Sequence, residues 1–313
     1  MHNKIEFGDC RDTMRRWKEQ GIKAQTCVTS PPYFGLRDYG HEGQIGLEET
    51  PEQYIAAMVE VFRCVWDVLE DDGTLWLNIG DSYARAGGWS DNHGLDGVPR
   101  GESGRAITGI SANGGKSQKL AGGCKTKDLI GIPWMLAFAL RADGWYLRQD
   151  IIWHKPNPMP ESVRDRCTKA HEYIFLMSKS QKYYYDADSI KDPVKQDWGT
   201  RDRTDGKYHN EGSGLQPHSG LEKSYEMANK RSVWTVNTKP YKGAHFAVFP
   251  QELIEPCILA GAPKGGIVLD PFMGSGTTAQ VAQNLGRTYL GCELNAEYAP
   301  LQAERTKQFS LGI

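Results

Sequence analysis

The segment IVLDPFMGSGTT, at residues 267–278, joins an apolar run to an aspartate and a glycine-rich turn. Residues 267–269 are typical of a buried strand, and Asp270 comes where that strand would end. Gly274 and Gly276 let the backbone turn sharply and lie close to a ligand. The glycines alone could merely form a turn. The order of strand, acid, glycine turn and helix nevertheless indicates a site for an adenosine-containing cofactor.

Two acidic residues refine this prediction. The carboxylate of Asp270 is suited to a zwitterionic amino-acid group held near a backbone turn. Glu293 follows the next predicted helix and strand, where an acid is placed to accept hydrogen bonds from both ribose hydroxyls. The segment lacks the lysine of a nucleotide-triphosphate loop, so a triphosphate is not the expected ligand.

A second segment, AQTCVTSPPY at residues 24–33, ends an earlier apolar strand with two prolines and an aromatic ring. An exocyclic base amine is a poor nucleophile, so acceptors must hold its hydrogens while its lone pair faces a methyl donor. The Ser30 hydroxyl and the Pro31 carbonyl are suitable acceptors, and prolines keep that carbonyl in place. Tyr33 could stack on an extruded base, although core packing is the alternative for this ring taken alone. The two segments together predict methyl transfer to a nucleobase amine.

Both segments resemble motifs of the DNA amino-methyltransferases, in the permuted class in which S/D/N-P-P-Y precedes the cofactor motif F-x-G-x-G. The likeness rests on residues 29–33 and 270–276 and extends to Gly8-Asp9 and residues 244–250. It implies S-adenosylmethionine as cofactor and a Rossmann-like α/β fold with circularly permuted motif order. The implied sheet is mostly parallel and seven-stranded with one reversed strand, and residues 4–7 lie beside the C-terminal pair of strands.

The resemblance also implies roles for individual residues. The implied catalytic residues are Ser30, Pro31, Pro32 and Tyr33. The implied cofactor-binding residues are Asp9, Thr29, His245, Phe249, Pro250, Asp270, Phe272, Gly274, Ser275, Gly276, Thr277 and Glu293. Serine before the prolines resembles the cytosine-N4 branch more than the adenine-N6 branch, although serine and aspartate can both accept from an amine. We therefore expect cytosine N4 as the preferred target, with a flipped base and direct transfer.

Alternating strands and helices predict a sheet covered on both faces, within a single domain over residues 1–313. Two polar, glycine-rich stretches have too few apolar residues for cores of their own. Residues 82–127 are predicted to be a mobile basic insert, and residues 187–240 an insert for target recognition. The predicted strands cover residues 4–7, 24–29, 75–79, 147–153, 172–177, 267–270 and 288–292. The predicted helices cover residues 11–20, 51–72, 128–142, 249–260 and 277–285.

The net charge of −2 is unevenly distributed along the chain. Residues 1–81 have a balance of −7, whereas residues 82–127 and 141–242 each have +4. Positive charge in predicted loops favours contact with a phosphate backbone, and a randomly charged solvated surface is the alternative. The side chains expected to meet double-stranded DNA, each also explicable as ordinary surface charge, are Arg37, His154, Lys155, Arg164, Arg166, Lys169, Arg201, Arg203 and Lys207.

Seven scattered cysteines without a C-x-x-C pair favour reduced thiols and argue against a structural zinc site. No third ligand has a suitable spacing from His154 and His171, so no metal is expected. Cys64, Cys257 and Cys292 lie among apolar neighbours and are predicted to be small core residues. The absence of a bilayer-length apolar run and of a secretory signal predicts a cytoplasmic protein. We expect a monomer or weak homodimer. A cognate restriction endonuclease is the further partner expected. The alternative functions are methylation of RNA or of a protein glutamine amide, and a non-catalytic DNA-binding module of the same fold.

Overall fold

A central β-sheet organises the computed structural model, which describes residues 2–36, 41, 43–84, 123–193, 226–239 and 249–307. Within these residues the sheet has eight strands, and a separate ribbon has two. The strands, in chain order, are β1 (Lys4–Phe7), β2 (Ala24–Thr29), β3 (Leu69–Ile79), β4 (Tyr146–His154), β5 (His171–Ser178), β6 (Asp192–Pro193), β7 (Met227–Ala228), β8 (Val233–Thr235), β9 (Ile267–Asp270) and β10 (Thr288–Glu293). β6 and β7 form the ribbon.

The strand order in the sheet is β1-β10-β9-β2-β3-β5-β4-β8. Only β5, among the described strands of this sheet, runs against the others, and it is antiparallel to both β3 and β4. These observations confirm the predicted mostly parallel sheet with one reversed strand and the predicted place of β1 beside β10. The predicted number of seven strands is one too few. The additional strand is β8, whose three residues in a polar stretch are too short to show an alternating pattern.

Helices cover both faces of the sheet, as predicted. On one face the first three helices pack through buried residues such as Met14, Phe62 and Leu136. On the other face the fourth and fifth pack through Leu253 and Val281. The helices are α1 (Cys10–Glu19), α2 (Pro51–Val68), α3 (Ile132–Ala142), α4 (Gln251–Gly261), α5 (Thr277–Asn284) and α6 (Ala299–Arg305).

Helix α2 begins where the sequence predicts and ends earlier. Thr50 Oγ1 accepts from the Gln53 backbone N–H, and the Gln53 side chain accepts from the Thr50 N–H, each at 3.2 Å. This reciprocal pair satisfies two N–H groups that the first turn leaves free. The predicted end at residue 72 is wrong, because Leu69 is fully buried and pairs with Ala24 at the start of β3. Burial in the sheet outweighs continuation of the helical pattern.

Helix α3 starts at Ile132, and the predicted start at residue 128 is wrong. The preceding residues bond back to the end of β3 instead: Leu129 forms a bridge with Tyr83, and Ala84 N donates to Asp128 O at 2.9 Å. The Asp81 carboxylate then accepts from the Ile132 N–H at 3.1 Å, which caps the helix. The two ends of the first predicted insert are therefore joined, as β6 and β7 join the ends of the second. Residues 85–122 and 194–225, which make up most of the two inserts, lie outside the described residues.

The predicted core cysteines Cys64, Cys257 and Cys292 are buried, and each carries a free thiol. In the described part of the chain, no helix combines the length and the apolar character needed to cross a bilayer.

Candidate active site

The two sequence motifs leave the sheet side by side. β2 and β9 are adjacent parallel strands, in which Cys27 lies opposite Leu269. The carboxyl ends of parallel strands point to the same edge of a sheet, and there both motifs border a cleft of about 900 Å³. Residues from other parts of the chain complete its walls, among them Gly8, Asp9, Asn78, Gly80, Asp81, Trp153, Lys155, Met159, Lys169, His171, Glu172 and Phe249.

Asp270 joins the two motifs through its carboxylate. Thr29 Oγ1 donates to Asp270 Oδ1 and Thr278 Oγ1 donates to Oδ2, both at 2.6 Å, and the Phe272 N–H donates to Oδ1 at 3.0 Å. Asp270 is only 1% exposed, and burial raises its pKa to about 6. Neither Asp270 nor Thr29 lines the cleft. Their hydrogen bonds fix the two motifs together, and their predicted contact with the cofactor stays a prediction.

The glycine turn presents bare backbone and one available hydroxyl to the cleft. Gly274 and Gly276 have φ values of 53° and 89°, in the left-handed region that glycine adopts without strain. A Cβ at Gly276 would lie 3.3 Å from Gln302 Cα, and Gln302 Nε2 donates to Gly274 O at 2.7 Å. Ser275 Oγ is buried at the cleft wall and has no hydrogen-bond partner among the described residues. A polar ligand group in the cleft would satisfy this hydroxyl.

Two further carboxylates stand where the sequence predicts cofactor contacts. Glu293 Oε2 accepts from the Gly274 N–H at 2.7 Å, and Oε1 accepts from the Asn295 N–H at 2.9 Å. Burial raises the pKa of Glu293, and each oxygen keeps a lone pair for a ribose hydroxyl. Asp9 also lines the cleft, and its hydrogen bond with Arg11, at 2.6 Å, lowers its pKa. Both side chains can accept from a ligand.

The structure brings most of the other predicted cofactor residues to the same cleft. Phe249, Phe272 and Thr277 line it. Pro250 is buried as the residue that precedes α4 and does not line the cleft, and its predicted cofactor contact stays a prediction. His245 lies outside the described residues.

The Ser-Pro-Pro-Tyr turn is held from two sides. The Tyr54 hydroxyl donates to Pro32 O at 2.8 Å. A Cβ at Gly80 would lie 2.6 Å from Tyr33 Cε2, so the absence of a side chain at residue 80 gives the Tyr33 ring its space. All the predicted catalytic residues line the cleft: Ser30, Pro31, Pro32 and Tyr33.

Glu172 organises this turn, and it is not among the site residues predicted from the sequence. The Tyr33 hydroxyl donates to Glu172 Oε2 at 2.8 Å, and Asn78 Nδ2 donates to the same oxygen at 3.3 Å. Lys155 Nζ forms an ion pair with Glu172 Oε1. Ser30 Oγ lies 3.5 Å from the Tyr33 hydroxyl. Burial, with the nearby Glu172 carboxylate, raises the pKa of Tyr33 well above its usual range, so the phenol stays protonated and donates.

One sequence feature could have indicated Glu172. It is a charged residue directly before YIFLM, the apolar run of the reversed strand β5. Because β5 is antiparallel to β3, the beginning of β5 meets the end of β3, where Ile79 lies opposite Tyr173. A carboxylate at the start of a buried reversed strand therefore falls at the same sheet edge as the two motifs.

Two lysines predicted to contact DNA line the cleft. Lys155 is 16% exposed and pairs with Glu172 in the cleft wall, and its predicted approach to the target nucleotide stays a prediction. Lys169 is partly buried and lines the cleft, and burial lowers its pKa. Arg166 pairs with Glu161 at 3.0 Å and its guanidinium lies 3.9 Å from the centroid of the Tyr83 ring. This guanidinium is thereby bound to the protein itself.

The remaining predicted DNA contacts divide into two groups. His154 and Arg164 are exposed, and His154 Nδ1 lies 3.2 Å from Thr235 Oγ1. The contacts predicted at Arg37, Arg201, Arg203 and Lys207 lie outside the described residues.

Comparison with known proteins gives similarity over nearly the whole chain. A family model for DNA methylase matches residues 24–305. The type II methyltransferase M.SmaI of Serratia marcescens is 48% identical over 306 residues, which cover 96% of this chain and 90% of that protein. The solved structure of the PvuII DNA methyltransferase (cytosine-N4-specific) aligns with a TM-score of 0.62 at 16% identity, covering 100% of this chain and 89% of its own. The M1.HpyAVI-SAM complex aligns with a TM-score of 0.56 at 16% identity, covering 97% and 99%. At this identity, the two structures show a shared fold.

Proposed function

This chain belongs to the DNA methylase family, and on that premise we propose that it methylates an exocyclic base amine in double-stranded DNA, cytosine N4 in preference to adenine N6. Its cofactor is S-adenosylmethionine. Its relative M.SmaI is a type II methyltransferase, so we infer that the modification protects sites from a cognate restriction endonuclease. The 2.6 Å hydrogen bond between Thr29 and Asp270 supports the reaction most directly. It holds the Ser-Pro-Pro-Tyr turn, which we call the catalytic turn, beside the glycine turn, which we call the cofactor turn, in the wall of one cleft.

The residues of the cleft fit this cofactor. When bound, S-adenosylmethionine supplies a methyl group that its positive sulfonium sulfur makes electrophilic. Ser275 Oγ, buried without a partner among the described residues, would donate to a carboxylate of the ligand. Glu293 would accept from ribose hydroxyls through its remaining lone pairs. Gly274 lines the cleft without a side chain, so a ligand can approach its backbone closely, while Gly276 packs against Gln302 behind the turn.

The catalytic turn would orient the target amine. Ser30 Oγ and the Pro31 carbonyl accept its two hydrogens, which directs the nitrogen lone pair at the methyl carbon. The nitrogen–carbon bond forms as the carbon–sulfur bond breaks, sulfur keeps that electron pair, and the amine then loses one proton. Tyr33 stacks on the base while Glu172 holds its hydroxyl.

Direct transfer agrees with the protonation of the thiol that lines the cleft. Cys10 lines the cleft, but burial raises its pKa to about 12, so it is not a thiolate nucleophile at neutral pH. A base within the duplex stack cannot enter a cleft at the edge of the sheet. The base must therefore be extruded, at a cost of a few kcal/mol for lost stacking and pairing.

The preference for cytosine N4 rests on Ser30. Serine in the first position of the motif resembles the cytosine-N4 branch of the family, and its hydroxyl both accepts and donates. The PvuII enzyme, whose specificity is cytosine N4, shares the fold.

Sequencing of DNA from a methylation-free host that expresses the chain tests this proposal. The readout must distinguish N4-methylcytosine from N6-methyladenine at single-base resolution. We expect N4-methylcytosine in one sequence context, and none with Ser30→Ala. N6-methyladenine would overturn the choice of cytosine but not the amine as target. Unmodified DNA from a host that contains folded wild-type protein would overturn DNA as the substrate.

A further inference from the structure

A methionine between two prolines stands at the mouth of the cleft. Met159 belongs to the segment PNPMP, residues 156–160, which follows directly on Lys155. Its side chain lines the cleft, yet the residue is 73% exposed, more than any other large apolar residue in the described part of the chain. Apolar surface that stays in water gives no hydrophobic stabilisation to the fold. The position of Met159 therefore points to an apolar surface outside the protein.

The loop that carries Met159 is held firmly at its base. Thr238 N donates to Asn157 Oδ1 at 3.0 Å, and Asn157 Nδ2 donates back to Thr238 O at 3.1 Å. Lys155 N donates to Ala170 O at 2.8 Å. Prolines at positions 156, 158 and 160 restrict the backbone on both sides of Asn157 and of Met159. Met159 is thus presented on a pre-ordered loop, and little backbone entropy would be lost when it meets a partner.

We propose that Met159 enters the DNA base stack and fills the gap left by the extruded target base. This inference rests on the proposed function, which requires that extrusion. Methionine is one of the apolar side chains that proteins insert between base steps, and its flexible thioether can adapt to the flat faces of bases. Ser30 and Met159 line the same cleft, so Met159 stands on a wall of the cleft that the extruded base would enter.

Met159 and the Tyr33 ring that would stack on the base are also connected through the chain. Lys155, at the base of the loop, forms the ion pair with Glu172, and Glu172 accepts from the Tyr33 hydroxyl. The side chain that would fill the gap and the ring that would receive the base are therefore positioned by one network.

Two duplexes and three variants test this proposal. One duplex carries the mapped methylation site fully paired, and the other carries a mismatch opposite the target base. Because the mismatched target base is already unpaired, it leaves the stack at a lower free-energy cost. Met159→Ala should lower kcat/KM about tenfold on the paired duplex and leave it close to wild type on the mismatched one. Met159→Leu should keep most activity on both. Tyr146→Ala is the matched control: Tyr146 is 45% exposed and lies at the opposite end of β4 from the loop.

The ratio of activities on the two duplexes decides the outcome. An equal loss on both duplexes with Met159→Ala, or no loss on either, would overturn the insertion of Met159 into the base stack. The proposed function would still stand if the wild-type protein methylates both duplexes. A wild-type protein inactive on both duplexes would overturn the proposed function, and this inference with it.

Discussion

The Tyr33 hydroxyl donates a hydrogen bond of 2.8 Å to Glu172 Oε2, which connects the catalytic turn to the reversed strand β5. The other oxygen of Glu172 pairs with Lys155, and both of these side chains are less than a fifth exposed. Solvent therefore screens the pair only weakly. The orientation of the ring that would stack on the target base thus depends on a strand distant in sequence, since Tyr33 and Glu172 are separated by 139 residues.

Replacement of Glu172 by glutamine should slow methyl transfer without loss of cofactor affinity. The glutamine side chain would still accept from the Tyr33 hydroxyl, but Lys155 would lose its counter-charge and the turn its fixed position. Because small misplacements of reacting groups are costly, we expect the single-turnover rate to fall about ten- to a hundredfold. Calorimetry should give an unchanged cofactor Kd. Asp165→Asn, which breaks the exposed Lys127–Asp165 pair, is the control and should leave both quantities unchanged.

Substitutions of Tyr33 should separate the contribution of the ring to the rate from that of its hydroxyl. Tyr33→Phe keeps the stacking surface and loses only the bond to Glu172, so we expect a several-fold lower rate. Tyr33→Ala also loses base stacking, worth about 1–3 kcal/mol, and should lower the rate by a further factor of about 5–150. Thermal unfolding of both variants checks that the fold persists. Wild-type turnover in the alanine variant would exclude a role for Tyr33 in methyl transfer.

The sequence predicts the meeting of the two motifs because each ends a parallel strand, and parallel strands end at the same edge. It predicts less well what each side chain touches there. Asp270 follows its strand as a cofactor ligand would, but whether such a carboxylate faces the cleft or the neighbouring strand depends on the pairing of β2 with β9. Glu172 and Lys155 enter the site through the register of β5 against β3 and β4. The local spacing of apolar residues does not determine which strands distant in sequence pair with each other.

The buried carboxylate of Asp270 should make stability depend on pH. Its pKa of about 6 in the folded protein lies above the value of about 3.9 for aspartate in an unfolded chain. The folded state therefore binds more protons between these values, and the contribution of Asp270 to stability falls as pH rises from about 4 to about 6. Asp270→Asn removes this titration. The free energy of unfolding of the wild type, relative to that of the variant, should decrease by about 3 kcal/mol from about pH 4 to about pH 7.

Denaturant unfolding of both proteins at several pH values measures this difference. Titrations elsewhere in the chain cancel in the comparison. A relative stability that rises with pH would mean that the hydrogen bonds from Thr29 and Thr278 outweigh the burial of the charge.

Two glycines at opposite ends of α5 allow the cofactor turn to be tested against backbone strain. Gly276 and Gly286 have φ values of 89° and 70°, so alanine at either should cost about 1–2 kcal/mol of stability. Their surroundings differ. The added Cβ would lie 3.3 Å from Gln302 Cα at Gly276, whereas no atom of the described residues lies within 4 Å at Gly286. Gln302 holds the Gly274 carbonyl, so a displaced Gln302 moves the turn. We expect both variants to lose similar stability, but only Gly276→Ala to bind S-adenosylmethionine about tenfold more weakly by calorimetry. Equal affinity for S-adenosylmethionine in the two variants would mean that this turn does not contribute to cofactor binding.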